Sequence, residues 1–289
     1  MTRALLFESP DPLQYFATLV ADDASLPLLE AAAAIAQAAD PGVDVQGVLA
    51  EVDGLAATLR RRLPADAGPL QRLRLLNRYF FGELGFSGND DAFDDPRHSD
   101  LAQVLARRRG IPITLALLYV ELATQAGLKA SGISFPGHFL VKLRLPQGEV
   151  VIDPFSGQSL SRAQLEQRLV PVRRALGLQG DEEIPLGLYL QSATPRGILE
   201  RMLRNLEAIH RACGDRRALL QVQERLVVLL PGEPAERRER GLTLAALGCM
   251  ARACEDVEAY LAQARRAPDA PALRRRLARW RAVPPPALH

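Results

Sequence analysis

Residues 107–153 read RRRGIPITLALLYVELATQAGLKASGISFPGHFLVKLRLPQGEVVID, and their pattern of apolar residues decides the fold. Pro112 suits the first position of a helix, Gly127 suits the position after its end, and most residues between them are apolar. We therefore predict a helix over 113–126 that is buried on most of its faces. After Gly127 the pattern changes to the alternation typical of two or three antiparallel strands. These strands are predicted at 130–135, 139–145 and 149–152.

The chain before this stretch has the pattern of helices. Apolar residues recur at helical spacing in four segments, and Ser99 is a predicted N-cap for the fourth, which Gly110 ends. The predicted helices cover 26–39, 43–63, 70–84 and 100–109, with a short helix at 11–20 before them and another at 160–169 after the strands. Helices that precede a small antiparallel sheet indicate an α+β domain.

From residue 195 onward the chain shows only helical patterns. Two predicted helix pairs end at prolines, and their period is similar to the tetratricopeptide repeat, in which two antiparallel helices span about 34 residues. Gly241 and Ala253 fall where that repeat uses small residues for close helix approach. An ordinary helical bundle stays open as the alternative. The helices are predicted at 196–212, 216–230, 235–247, 251–266 and 271–282.

Four segments follow from these patterns. We predict an N-terminal extension at 1–24, an α+β domain at 25–180, an all-α region of tetratricopeptide-like repeats at 195–283 and a disordered tail at 284–289.

Composition excludes several classes of protein. The formal net charge is +2, so the arginines are nearly balanced by acids, which argues against nucleic-acid binding. The longest apolar run, 111–120, is shorter than the roughly 20 residues of a membrane span. The N-terminus lacks a signal-peptide pattern, and Cys213, Cys249 and Cys254 fit no zinc spacing. We read these cysteines as reduced thiols of a cytoplasmic protein that binds neither nucleic acid nor membranes.

His138 and Asp153 are the candidate functional residues. His138 lies at the start of one predicted strand and Asp153 at the end of the next, and such a pair is part of a nucleophile–base–orienter arrangement. A tight turn at Gln147-Gly148 would offset the two by about four residues, or roughly 13 Å. A longer loop over 144–147 would set them opposite each other, and the sequence leaves both registers open.

The motifs in this stretch resemble those of one family. Arg108-Arg109-Gly110-Ile111-Pro112-Ile113, Ala126-Gly127-Leu128, Phe135-Pro136-Gly137-His138-Phe139 and Ile152-Asp153-Pro154 occur in order around the apolar helix. This arrangement resembles the N-terminal domain of the SirB1 family, a branch of the transglutaminase-like superfamily. The resemblance covers 30–175, and the helical region is similar to the C-terminal part of the same proteins.

The resemblance implies a cysteine-protease-like fold with a missing nucleophile. Active members place a cysteine at the start of the buried helix, a histidine on a strand and an aspartate on the next strand. His138 and Asp153 match the last two, but Pro112 occupies the cysteine position and no cysteine precedes Cys213. Thr114 is the substitute nucleophile that we weigh, although a threonine in a first helical turn usually bonds a backbone group. Ser134 and Ser156 are weaker candidates.

The functional prediction is therefore non-catalytic. We expect a protein-interaction or regulatory module without a cofactor or metal, which binds a protein or peptide through the repeats or the cleft around Gly137, His138 and Asp153. A structural His–Asp pair without a ligand is the plainer interpretation of the same residues. The alternative function is a peptidase- or amidase-type hydrolase or acyl-transfer enzyme that uses His138 and Asp153 with a non-cysteine nucleophile.

The acidic residues and histidines of the sequence give little support for a metal site. Asn89-Asp90-Asp91 and Asp94-Asp95 lack the ligand spacing and terminal glutamate of a calcium loop, so a solvated loop is expected. The chain has four histidines and none is paired at helical spacing, which argues against a metal-dependent hydrolase.

Overall fold

The computed structural model describes residues 11–88, 94–175, 177 and 184–282. The chain divides into two compact units, one of residues 23–202 and the other of residues 1–22 with 203–289. The domain limits predicted from the sequence stay a prediction. Among the described residues, no helix has the length and apolar character needed to cross a bilayer. The predicted tail at 284–289, residue 283 before it and residues 89–93 of the acidic loop lie outside the described residues.

The first unit, residues 23–202, combines helices with one sheet. Its helices are α2 (Leu28–Ile35), α3 (Val45–Arg62), α4 (Pro69–Asn77), α5 (Leu101–Arg107), α6 (Pro112–Gln125), α7 (Arg162–Ala175), α8 (Leu186–Tyr189) and the start of α9 (Pro195–Cys213). Its strands are β1 (Lys129–Ile133), β2 (Leu140–Leu145), β3 (Gly148–Asp153) and β4 (Gln158–Leu160). The α+β class predicted from the sequence is confirmed.

Helix α6 is the central element of this unit, as predicted. Ten of its residues are buried, because apolar side chains occupy nearly every face. It packs against β1, β2 and α3, so the helix lies between the sheet and the other helices. Pro112 is its first residue, where a missing N–H costs nothing.

The sheet is fully antiparallel in the order β1-β2-β3-β4. Leu145 pairs with Gly148, which makes Pro146-Gln147 a two-residue hairpin turn. One face of the sheet packs on α7 through a core of apolar side chains. Its buried members are Ile133, Phe135, Leu140, Val151, Leu165, Leu169 and Leu186. Strand β4 was not predicted, because its three residues carry one apolar side chain and no alternation.

Both ends of the helix predicted at 100–109 differ from the structure. Asp100, rather than Ser99, is the N-cap of α5, and its carboxylate accepts hydrogen bonds from the Ala102 and Gln103 amides. Ser99 is the last residue of a preceding 3-10 helix, Pro96–Ser99. Helix α5 ends at Arg107, and its C-cap residue is Arg108, which adopts a left-handed conformation with φ 58°, so the residue that terminates the helix is not Gly110.

The segment predicted as one helix at 70–84 is an α-helix in its first part and a π-helix in its second part. Helix α4 ends at Asn77, and a π-helix covers Arg78–Glu83. The wider turn carries Phe80 and Phe81, whose rings contact each other and Tyr119 of α6. Such π-helical turns are frequently found at functional sites.

The second unit is all-α. Helix α1 (Pro12–Leu19) packs on α10 (Arg216–Leu229), and the remaining helices follow as α11 (Pro234–Ala246), α12 (Met250–Gln263) and α13 (Ala270–Ala282). A Cβ atom on Gly241 would lie 3.3 Å from the Ala253 carbonyl oxygen and 3.0 Å from Val257 Cγ2. The predicted close approach of α11 and α12 at Gly241 and Ala253 is confirmed.

Candidate functional site

A tight turn presents His138 at the start of β2. The His138 amide donates to the Phe135 carbonyl over 3.1 Å, and Gly137 between them has φ 69°. Proline followed by a glycine with positive φ is the pattern of a type II turn, which explains why Pro136 and Gly137 stand there. Gly137 is exposed and a Cβ atom on it would meet open space, so the turn borders solvent.

Asp153 ends β3 and is held from several sides. His138 Nε2 lies 2.8 Å from Asp153 Oδ1, and Arg168 Nη2 of α7 lies 2.9 Å from Oδ2. The Phe155 amide donates to Oδ1 over 3.0 Å. Asp153 is 4% exposed, whereas His138 is 19% exposed, so the carboxylate is the buried partner and the imidazole faces outward.

The charge state of Asp153 decides the hydrogen position on His138. Burial of the carboxyl opposes its ionisation, but the hydrogen bond and charge of His138, together with Arg168 and the Phe155 amide, outweigh burial and lower the pKa of Asp153 to about 2. A carboxylate only accepts hydrogen bonds, so His138 Nε2 is the donor. In the neutral imidazole, Nδ1 then carries the lone pair. No residue in the described ranges hydrogen-bonds Nδ1.

The register explains the contact and corrects both registers weighed from the sequence. Val141 pairs with Ile152, so continuing the ladder by one residue sets Leu140 opposite Asp153. His138 lies two residues before Leu140, or about 6.6 Å along the strand direction. The two side chains are long enough to meet across that offset. The His138–Asp153 hydrogen bond therefore forms without the four-residue offset and without the longer loop.

One aromatic ring contacts His138, and a second lies beside the loop that follows Asp153. The Phe155 ring lies edge-on to the imidazole, with 6.2 Å between ring centroids. A Cβ atom on Gly88 would lie 2.1 Å from the Phe155 ring, and one on Gly157 would lie 3.1 Å from Phe81 of the π-helix. Glycines at these two positions let the rings close around the loop that follows Asp153.

The predicted nucleophile position carries no reactive group. Pro112 and Thr114 are buried in the first turn of α6. The Thr114 hydroxyl lies 2.8 Å from the His98 carbonyl oxygen and 2.9 Å from that of Ile111, so its hydrogen points at backbone acceptors. Among the described residues, no hydrogen bond joins Thr114 to His138.

The remaining candidates lie elsewhere or serve local structure. Ser134 Oγ accepts a hydrogen bond from Arg201, and Ser156 Oγ accepts one from the Gln158 amide. The three cysteines are unpaired and lie in the all-α unit. Within the described ranges, no group of three or more His, Cys, Asp or Glu side chains could hold a metal ion.

Two arginines at this site were missed by the sequence analysis. Arg168 binds Asp153 from α7, and Arg201 binds the turn before His138 from α9. The sequence contains one local signal for the helix that carries Arg168, namely Ser161 followed by Gln164. In this capping pair the Ser161 amide donates to Gln164 Oε1, and the Gln164 amide donates to Ser161 Oγ. It locates the start of α7, but only tertiary packing shows which turn faces Asp153.

Comparison with known proteins agrees with the motifs. The family model for the transglutaminase-like superfamily matches residues 46–204, and that for the tetratricopeptide repeat matches 206–278. A UPF0162 protein of Xylella fastidiosa is 36% identical over 241 residues, which cover 83% of this chain and 85% of the relative. No solved structure matches the chain.

Two further relatives from other bacteria are also similar to this chain. A UPF0162 protein of Pseudomonas aeruginosa is 35% identical over 222 residues, 77% of this chain and 79% of the relative. Protein SirB1 of Salmonella typhimurium is 25% identical over 225 residues, 75% of this chain and 79% of the relative.

Proposed function

We propose that this chain, which belongs to the transglutaminase-like superfamily and within it to the SirB1 family, is a non-catalytic protein-interaction or regulatory module of the cytoplasm. The observation that carries the proposal is the first turn of α6. By the resemblance drawn from the sequence, Pro112 corresponds to the position at which active superfamily members carry cysteine. The nearby Thr114 hydroxyl is directed at two carbonyl oxygens. A thiolate mechanism needs a cysteine there.

Two features support binding as the remaining role. Around Gly137, His138 and Asp153, where the sequence predicts a binding cleft, there is a hydrogen-bonded polar centre whose imidazole is partly exposed. The tetratricopeptide region stacks helices, and such repeats leave a concave face free for peptides. We place the binding face of the first unit at this cleft.

The alternative function is an enzyme, and one observation favours it. His138 Nε2 donates to an ionised carboxylate, which leaves Nδ1 as a lone pair without a partner among the described residues. This is the arrangement of a general base, and a hydrolase or acyl-transfer enzyme of the peptidase or amidase type would use it on water or on a non-cysteine nucleophile.

An activity screen separates the two functions. Purified wild-type protein and a His138→Ala variant are incubated with p-nitrophenyl acetate, peptide aminomethylcoumarin amides, and casein with a fluorescent amine. We expect rates equal to the buffer rate for both proteins. Turnover by the wild type that His138→Ala removes would establish the enzyme instead.

A photo-crosslinking experiment tests binding directly. A benzophenone amino acid replaces Ser134, which is exposed beside the cleft, or Arg144 at the far end of β2 as a control. We expect one protein to crosslink in cells at position 134 and not at 144. Asp153→Ala, which removes the support of His138, should abolish that band. A crosslink that Asp153→Ala leaves unchanged would contradict a binding role for this cleft.

A further inference from the structure

Arg201 is a half-buried cation whose charge no carboxylate balances among the described residues. Its Nη1 donates to Ser134 Oγ over 2.8 Å and to the Phe135 carbonyl over 3.1 Å. Its guanidinium carbon lies 5.6 Å from the centroid of the Phe139 ring. Burial lowers the pKa of Arg201, because nearby acids do not offset the loss of water. Removing a charge from water is costly unless a partner compensates it.

The turn at 135–138 and Ser134 accept hydrogen bonds from only one guanidinium nitrogen of Arg201, which is Nη1. Nε and Nη2 donate to no described residue, so one side of the planar fork stays available. A carboxylate is the group that fits such a fork, since it accepts two parallel hydrogen bonds. Ser134 Oγ accepts from Arg201 and keeps its own hydrogen for a ligand.

An apolar groove adjoins this arginine. It has a volume of about 190 Å³ and lies between α6, β1 and the start of α9. Phe139 belongs to its wall and also carries the Arg201 guanidinium, and Ile198, another wall residue, is one helical turn before Arg201. Small residues, among them Ala116, Ala130 and Gly132, leave the space open.

The size of the groove limits what enters it. Pockets that enclose drug-sized ligands start at about 300 Å³, so this groove takes one large side chain rather than a cofactor. β1 is the first strand of the sheet and lies at the rim of the groove, but the Ala193 amide already donates to its Gly132 carbonyl over 2.9 Å. The proposal therefore uses the groove and Arg201 and needs no strand pairing.

We propose that the groove and Arg201 together bind a peptide segment of a partner protein in which a bulky apolar side chain adjoins an acidic residue. The apolar side chain fills the groove and the carboxylate pairs with Arg201 beside the His138 turn. This inference rests on the proposed binding function and names the chemistry of its partner.

The test titrates peptides into ¹⁵N-labelled full-length protein and follows the amide signals of β1 and the Arg201 Nε–Hε signal. The probe is an acetylated and amidated pentapeptide of alternating glutamate and leucine. We expect saturable shifts at both places and binding at least about tenfold weaker when every glutamate is replaced by glutamine. Replacing every leucine by serine should weaken binding similarly. No saturable binding, or equal binding of the glutamine peptide, would overturn the proposal.

Protein variants localise the effect. Arg201→Met keeps the apolar stem on Phe139 and should weaken binding about tenfold, whereas Arg144→Met, an equal charge loss at the far end of β2, should change it less than about twofold. Ala130→Leu should fill the groove and also weaken binding. Unchanged binding by Arg201→Met contradicts the inference. If a variant does not fold, the glutamate and glutamine peptides compared on wild-type protein test the same contact.

Three further results would distinguish a failure of the peptide-binding inference from a failure of the proposed function. Hexanoate that binds as tightly as the peptide would assign the groove to small acids and overturn the peptide proposal. His138-dependent turnover in the activity screen would remove the proposed function itself. A position-134 crosslink that requires Asp153 but survives Arg201→Met would remove only this inference.

Discussion

At the scale of single residues, Asp153 organises the site because two cationic or donor side chains and one amide meet on its carboxylate. Its folded pKa, about 2, lies below the ordinary value of 3.8. A lowered pKa stabilises the fold above the unfolded pKa, and this stabilisation is lost as pH falls through the folded pKa.

Asp153→Asn therefore has two expected effects. It should lower the free energy of unfolding at pH 7 by about 3 kcal/mol, because Arg168 and His138 lose their buried partner. Between pH 5 and pH 2 the wild type should lose about 2 kcal/mol more than the variant. Urea unfolding at several pH values measures both. Asp66→Asn, which removes an exposed carboxyl, is the control, and parallel pH curves for wild type and Asp153→Asn would refute the pairing.

The hydrogen position on His138 is a second expectation at this scale. Because Asp153 is ionised, the neutral imidazole should carry its hydrogen on Nε2. Long-range ¹H–¹⁵N correlation spectra at pH 8 distinguish the two ring nitrogens. A dominant Nδ1–H form would mean that the carboxylate is not the partner of His138 in solution.

Individual site residues were predictable only where they sit in a local pattern. The Pro136-Gly137 turn and the Asp-Pro ending of β3 mark His138 and Asp153 within the sequence itself. Arg168 and Arg201 lack such marks, since each is one of many arginines on helices. Their importance depends on which helical turn faces the sheet, and that is a property of tertiary packing.

At the scale of elements, hydrophobic periodicity predicted α3, α6 and the strands β1–β3 because each has one strong repeat over many residues. It failed where a few residues decide the structure. Strand β4 has three residues, and the π-helix after α4 keeps the apolar stripe while changing the winding. The register of β2 and β3 depends on a two-residue turn, which alternation alone does not define.

Gly88 tests how the loop after β3 is held. A Cβ atom there would overlap the Phe155 ring, and the Gly88 amide donates to the Phe155 carbonyl over 2.9 Å. We expect Gly88→Ala to lower the free energy of unfolding by about 2 kcal/mol and to shift the His138 ring signals, because Phe155 must move.

The matched control is Gly54→Ala in α3. Nothing lies within 4 Å of a Cβ atom at Gly54, so alanine should raise the free energy of unfolding by about 0.8 kcal/mol through helix propensity. Chemical denaturation compares the two variants. Equal stability of Gly88→Ala and the wild type would show that the Phe155 contact is not tight in solution.

At the scale of the whole molecule, the chain divides into two compact units, and each contains a buried apolar cluster. The His138 centre and the Arg201 groove both belong to residues 23–202. The other unit relies on ion pairs between helices, such as Arg204 with Glu236 and Arg240 with Asp256. A change in the packing of one unit should therefore leave the core of the other unit intact.

Gly241→Leu tests this separation. Leucine at Gly241 would meet Val257, Asp256 and the Ala253 carbonyl, so α11 and α12 would have to part, at a cost of about 3 kcal/mol. Hydrogen exchange measured by mass spectrometry should show lost protection in peptides from 203–282, while peptides that cover β1–β3 keep theirs. Ala262→Leu adds the same side chain at an exposed position of α12 and should leave protection unchanged. If β2 amides lose protection as much as α12 in Gly241→Leu, the two units unfold together, and a partner bound at either one would stabilise both.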